Sequence, residues 1–220
     1  MCFSAGASFG TSLVLAGIGI AAIKKAGSGP QRLFAAVPLL FAVQQLAEGF
    51  VWLGLMHINY AAWQSPSVYF YIIFAYVLWP VWVPLSILLL ETSKNRKKIL
   101  RIFLITGAVV SAYIICCLLL YPVHAAVYNH HIVYTFDYPP MAASLSHLGD
   151  GFYFIATLPA AFISSRKRIW VFGIVLIASY MVSKIFFADA VVSVWCYFAA
   201  ALSIVVLFLV KRQPNHFIKT

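Results

Sequence analysis

The sequence predicts an all-α, polytopic membrane protein of seven transmembrane helices, with its N-terminus outside and its C-terminus cytoplasmic. Three observations predict it. The 220 residues have a mean hydropathy of +0.96, with 64% hydrophobic and 9% charged residues. That leaves too little polar surface to cover a soluble domain of this length. The apolar residues fall in stretches of about 20, the length that crosses a bilayer core as a helix. Fourteen of the fifteen Lys and Arg residues lie between those stretches: Lys24, Lys25 and Arg32; Lys94, Arg96, Lys97, Lys98 and Arg101; Arg166, Lys167 and Arg168; Lys211, Arg212 and Lys219. Positive charge favours the cytoplasmic ends of membrane helices, so the same clusters predict orientation.

Helix 1 is expected over about 6–23. No basic segment precedes it and Lys24-Lys25 follow it, an order that favours an outside N-terminus and a helix that is kept rather than cleaved. Gly6 and Gly10 form a GxxxG on it, which permits close contact either within the chain or in a homodimer. Helix 2, about 33–56, returns outward. Helix 3, about 68–90, carries Pro80 and Pro84. Both remove backbone donors and predict a kink near its middle. Helix 4 spans about 99–121. An outer loop, about 122–140, holds His124, His130, His131 and Asp137 with several tyrosines, and reads as partly interfacial. Helices 5, 6 and 7 follow over about 141–163, 169–187 and 190–210. The whole chain, 1–220, reads as one such domain, multi-pass in the plasma (inner) membrane.

The net charge of +10 sits in short juxtamembrane loops and on no polar helix face. It therefore points to the lipid bilayer and its anionic inner-leaflet headgroups as partners, and not to nucleic acid. Cys2, Cys116, Cys117 and Cys196 form no CxxC and no zinc-finger spacing, and read as small buried apolar side chains. No GxSxG and no phosphate-binding glycine loop occurs.

The informative residues are ionisable ones inside apolar helices. Each costs about 2.5–3.5 kcal/mol at the helix centre on insertion scales, so such groups face the bundle interior. Glu48 lies eight residues from the outer end of helix 2, and Asp150 nine from that of helix 5. At ~1.5 Å per residue both sit at similar depth, near the midplane. Gln44 and Gln45 precede Glu48 by one turn, and His147 shares a helix face with Asp150 at i, i+3. Cys196 on helix 7 falls slightly above the carboxyls. Lys184 sits about one turn below the outer surface, where it can snorkel and neutralise Asp189.

Glu48, Asp150, Gln44, Gln45 and Lys184 thus read as a ligand or proton site. His147, Asp150, Glu48 and Cys196 form a set able to hold a divalent metal such as zinc. The leading expectation is a binding or transport protein for a cation, proton or small ligand. The alternatives are a metal-dependent intramembrane hydrolase acting on a lipid or amide, with Glu48 as base, and a structural or sensor subunit whose buried acids lock packing. Acid-Gly-Phe recurs at Glu48-Gly49-Phe50 and Asp150-Gly151-Phe152 on oppositely directed helices. Inverted repeats place transporter sites at this depth, although six matching positions do not separate a repeat from chance.

The opening Met1-Cys2-Phe3-Ser4-Ala5, the run Gln44-Gln45…Glu48-Gly49…Trp52 and the run Ser193-Val194-Trp195-Cys196-Tyr197-Phe198-Ala199-Ala200 resemble an uncharacterised prokaryotic family of multi-helix membrane proteins. The resemblance implies architecture and no established activity. Two better-known seven-helix classes fit less well. Microbial rhodopsins carry a retinal-bearing Lys in the last helix, and 190–210 has none. The hydrolase superfamily of alkaline ceramidases uses an HxxxH pair in helix 7, and helix 7 here has no His.

Overall fold

The computed structural model describes residues 4–137 and 151–211. Six of its helices are long and apolar enough to cross a membrane: Ala5–Lys25, Gly29–Met56, Ile58–Leu90, Lys94–Leu120, Lys167–Phe186 and Ala188–Val210. The chain is a multi-pass membrane protein in build. The remaining predicted helix, 141–163, lies partly outside the described residues, and its described part is the shorter apolar helix Gly151–Ile163.

α1 (Ala5–Lys25) is capped by Ser4, whose hydroxyl accepts from the Ala7 N–H at 3.2 Å. α2 (Gly29–Ala35) begins with Ser28 as cap and Pro30 in its first turn, where a missing donor costs nothing. α3 (Val37–Met56) continues it with a break at Ala36, so the second span starts earlier than hydropathy alone predicts. The third span also starts earlier. It comprises α4 (Ala61–Ile72), a π-helical turn (Ile73–Leu78) and α5 (Trp79–Leu90).

The predicted proline kink takes the form of that π turn, which ends immediately before Trp79-Pro80. Pro80 has no N–H for carbonyls one turn back, and side chains from other helices serve two of the carbonyls there. The Tyr153 hydroxyl donates to the Ala75 oxygen at 2.9 Å, and Ser111 to the Val77 oxygen at 2.7 Å. The irregular backbone is thus satisfied inside the bundle, as a bilayer requires.

α6 (Lys94–Leu120) packs on α5 and is the least buried span. Leu119, Leu120, Ile105 and Val109 on α6, with Leu13 on α1, are more than 60% exposed. Apolar exposure on this scale belongs against lipid tails. At Gly107 the two helices touch: a Cβ there would lie 1.9 Å from the Pro80 carbonyl oxygen. Within the loop expected over 122–140, the described residues 122–137 form regular structure instead. Val123–Tyr128 (β1) and His131–Phe136 (β2) form an antiparallel hairpin, turning at Asn129 and His130, both at positive φ. An exposed His124–Asp137 contact of 3.0 Å closes its base.

α7 (Gly151–Ile163) is interrupted at Leu158-Pro159. α8 (Lys167–Phe186) and α9 (Val191–Lys211) complete the described chain, and α9 packs against α1, α3 and α8. Arg96 donates to the Ile163 carbonyl at 3.0 Å and Arg166 to the Leu90 carbonyl at 3.3 Å. Phe34 meets Phe172 edge-on at 5.5 Å. These contacts gather the basic starts of α6 and α8 and the α2 region at one end of the bundle. The hairpin lies at the other, where His131 touches Phe187.

Candidate functional site

Glu48 is wholly buried in the middle of α3, as are Gln44 and Gln45 on the turn before it. Helical spacing places all three within one turn. The Gln45 amide donates to Glu48 Oε2 at 3.1 Å, and the Ser193 hydroxyl of α9 donates to Oε1 at 2.5 Å. Both oxygens of the carboxyl therefore accept hydrogen bonds, one local and one across 145 residues of chain. Gln44 turns the other way and accepts from Trp79 Nε1 at 2.9 Å, a bond that ties α3 to α5 just beyond the π turn. Trp79 stacks on Phe41 at 4.2 Å.

Cys196, one turn after Ser193, is buried and lies within interaction range of Tyr71, Gln44 and Glu48. Tyr71 itself donates to the Val192 carbonyl at 3.4 Å. The result is a sealed polar cluster from α3, α4, α5 and α9 inside an otherwise apolar core. Gln44 Nε2 faces the Cys196 sulfur and bonds no oxygen or nitrogen; Gln45 Oε1 has no hydrogen-bond partner among the described residues, nor has the buried Trp52 Nε1 one turn further along α3. A buried donor or acceptor left unpaired costs about 1–3 kcal/mol.

Of the residues expected from sequence, Gln44, Gln45, Glu48 and Cys196 come together. Ser193 joins them and was not among the predicted ligands; the signal for it was a hydroxyl one turn before Cys196 on an apolar helix. His147 and Asp150 lie outside the described residues, as do Ser144 and Ser146 beside them. Among the described residues no three His, Cys, Asp or Glu side chains are grouped to hold a metal ion; Glu48 and Cys196 are two of the four ligands anticipated. Gly6 and Gly10 meet nothing closer than the Ser4 hydroxyl at 4.0 Å, so α1 makes its tight approach to α3 at Gly19 instead.

Lys184 is exposed near the end of α8 and forms no ion pair with Asp189, contrary to the neutralisation expected. It lines a cavity of about 170 Å³ with Tyr76, Tyr153, Phe154, Tyr180 and Trp195, and Cys196 forms part of the same wall. A second, much smaller hollow of about 30 Å³ shares Tyr153, Trp195 and Cys196 and is otherwise apolar apart from Thr157. Cys196 therefore stands between the Glu48 cluster and both cavities.

A further buried acid escaped the sequence reading. Glu91, 2% exposed, sits between α5 and α6 and accepts from the backbone N–H groups of Thr92, Ser93 and Ser165 and from the Ser165 hydroxyl, at 2.6–2.9 Å. Burial alone would raise its pKa; these donors outweigh it and hold the carboxyl at about 2, against an ordinary 4.5. Glu91 ties the α5–α6 turn to the α7–α8 turn. Its hint in the sequence was a lone acid followed by Thr92-Ser93 at a helix start.

Over residues 1–219 the chain matches the family of unknown function DUF6629, and it belongs to that family. No curated protein and no solved structure matches it.

Proposed function

On the premise of that membership in a family of unknown function, and of the six membrane-length helices, we propose that the protein binds or transports a small cation, proton or polar ligand at the Glu48 cluster. The observation that carries the reading is a carboxyl with both oxygens engaged at zero exposure, beside an amide oxygen of Gln45 and an indole N–H of Trp52 that find no partner among the described residues. A group fixed only to lock packing gains nothing from leaving such atoms unpaired. Protonation of Glu48, or cation binding beside it, changes what Ser193 and Gln45 can donate to. Each state then reorganises bonds that join α3 to α9.

The proposed topology places the basic end of the bundle in the cytoplasm of a plasma (inner) membrane, against anionic headgroups, and the hairpin outside. His147 and Asp150 extend the site by their sequence positions. With Glu48 and Cys196 they would supply a zinc set of the kind a hydrolase uses. A homodimer through Gly6 and Gly10 is a subsidiary reading, favoured by their lack of close neighbours.

Infrared titration of wild type and Glu48→Gln tests the proposal, with metal content measured on the same preparations after zinc supplementation. A carboxyl band that titrates in wild type and is missing from a folded Glu48→Gln variant is the expected result. A band that never changes with pH, in protein that also takes up neither sodium nor zinc, refutes the reading and leaves Glu48 a packing residue.

A further inference from the structure

Lys184 combines three properties that packing does not account for. It is a cation at the third-last position of a membrane span, it has no carboxylate partner among the described residues, and it opens on an apolar cavity. The cavity wall is a run of rings. Phe154 and Tyr180 lie 4.3 Å apart, Tyr180 and Trp195 5.4 Å, and Tyr153 and Trp195 6.0 Å. Two of the polar tips are turned into the protein: Trp195 Nε1 donates to Ser179 at 3.1 Å, and the Tyr153 hydroxyl to the Ala75 carbonyl. Among the described residues no acid lines the space.

We propose that the Lys184 cavity binds a long-chain amphiphilic monocarboxylate drawn from the membrane, with Lys184 at the headgroup and the aromatic wall along the part of the chain nearest to it. Apolar pockets recognise ligands through a few placed polar groups, and here the placed group is one cation at the mouth. A neutral chain would leave Lys184 unanswered, and a cationic amphiphile would meet its repulsion. The inference deepens the binding reading above, since Cys196 joins the cavity to the Glu48 cluster, but it rests on separate residues.

The test uses the full chain in phosphatidylcholine nanodiscs and a fatty acid brominated on its chain, read by quenching of tryptophan fluorescence. Saturable quenching in wild type is expected. Lys184→Gln should weaken binding about tenfold, the equivalent of roughly 1.4 kcal/mol, while keeping the circular dichroism of wild type. Trp195→Phe should lower the amplitude of quenching. A brominated alcohol of equal length should bind about tenfold more weakly than the acid.

Unchanged affinity in Lys184→Gln overturns the proposal, as does a brominated trimethylammonium amphiphile that binds as tightly as the acid. Competition by phosphatidylglycerol at equal concentration would show a site that reads bulk lipid headgroups, and competition by a short water-soluble carboxylate would show that the chain is not recognised. Either result overturns it. Because the infrared titration reads Glu48 and not this cavity, loss of quenching with that titration intact overturns this inference alone.

Discussion

Replacing Gly107 by Ala should damage the Glu48 cluster from a helix that contributes no residue to it. The added Cβ would stand 1.9 Å from the Pro80 oxygen and 2.6 Å from its carbonyl carbon. Neither atom belongs to a side chain that can rotate away. Ordinary contact begins near 3.4 Å, so α5 and α6 must separate by about 3.4 − 1.9 = 1.5 Å at this level. Trp79 precedes Pro80 and bonds Gln44 at 2.9 Å. If α5 takes up most of the shift, that bond passes the limit of about 3.5 Å and is lost. Overpacking costs about 1–3 kcal/mol and the lost bond about 1 more, so a total of roughly 3 kcal/mol is expected. For a chain of this size that is a fall in Tm of about 6–12 °C, on the scaling known for soluble proteins. Thermal unfolding in a mild detergent measures it, with Trp79 emission reporting the bond. Gly17→Ala is the control, because a Cβ there meets nothing within 4 Å. A Gly107→Ala protein that melts with wild type, Trp79 emission unchanged, would refute the claim that this contact sets the α5 position.

Glu91→Ala should destabilise the basic end of the bundle by about 3 kcal/mol, since four donors lose a charged acceptor. Its folded pKa of about 2 lies below the ordinary 4.5, so its stabilisation is complete above pH 4.5 and disappears as pH falls through about 2. Acid unfolding of wild type should steepen across that window, and that of Glu91→Ala should not. Tyr153→Phe keeps the ring in both cavities but strips the Ala75 carbonyl of its donor. A loss of about 1–3 kcal/mol in thermal stability, with fatty-acid quenching retained, is expected, and an unchanged Tm would show that water satisfies that carbonyl.

The membrane-spanning stretches and the burial of Gln44, Gln45 and Glu48 could be read from sequence, because composition and the cost of polar groups in hydrocarbon constrain them locally. Partners supplied from distant helices could not. Nothing in residues 44–48 announces Ser193, and nothing beside Glu91 announces Ser165. The proline kink was legible as a loss of donors, but its π form depends on Tyr153 and Ser111 arriving to serve carbonyls. The hairpin was missed although its alternation from Val123 to Phe136 is visible, since clustered His and Tyr suggested an interfacial loop. The expected Lys184–Asp189 pair fails because proximity in sequence across a helix end does not make the two side chains converge.

The 145 residues between Glu48 and Ser193 also set an order of events during synthesis. At about 5–20 residues per second, α9 emerges on the order of 10 s after α3. The second span must therefore enter the bilayer carrying an acid whose Ser193 donor has not been made, with Gln45 of its own helix beside it. Its apolar residues must offset that insertion cost alone. Completion of the cluster waits for α9, so a chain truncated before Val191 would insert with Glu48 still lacking the Ser193 hydroxyl.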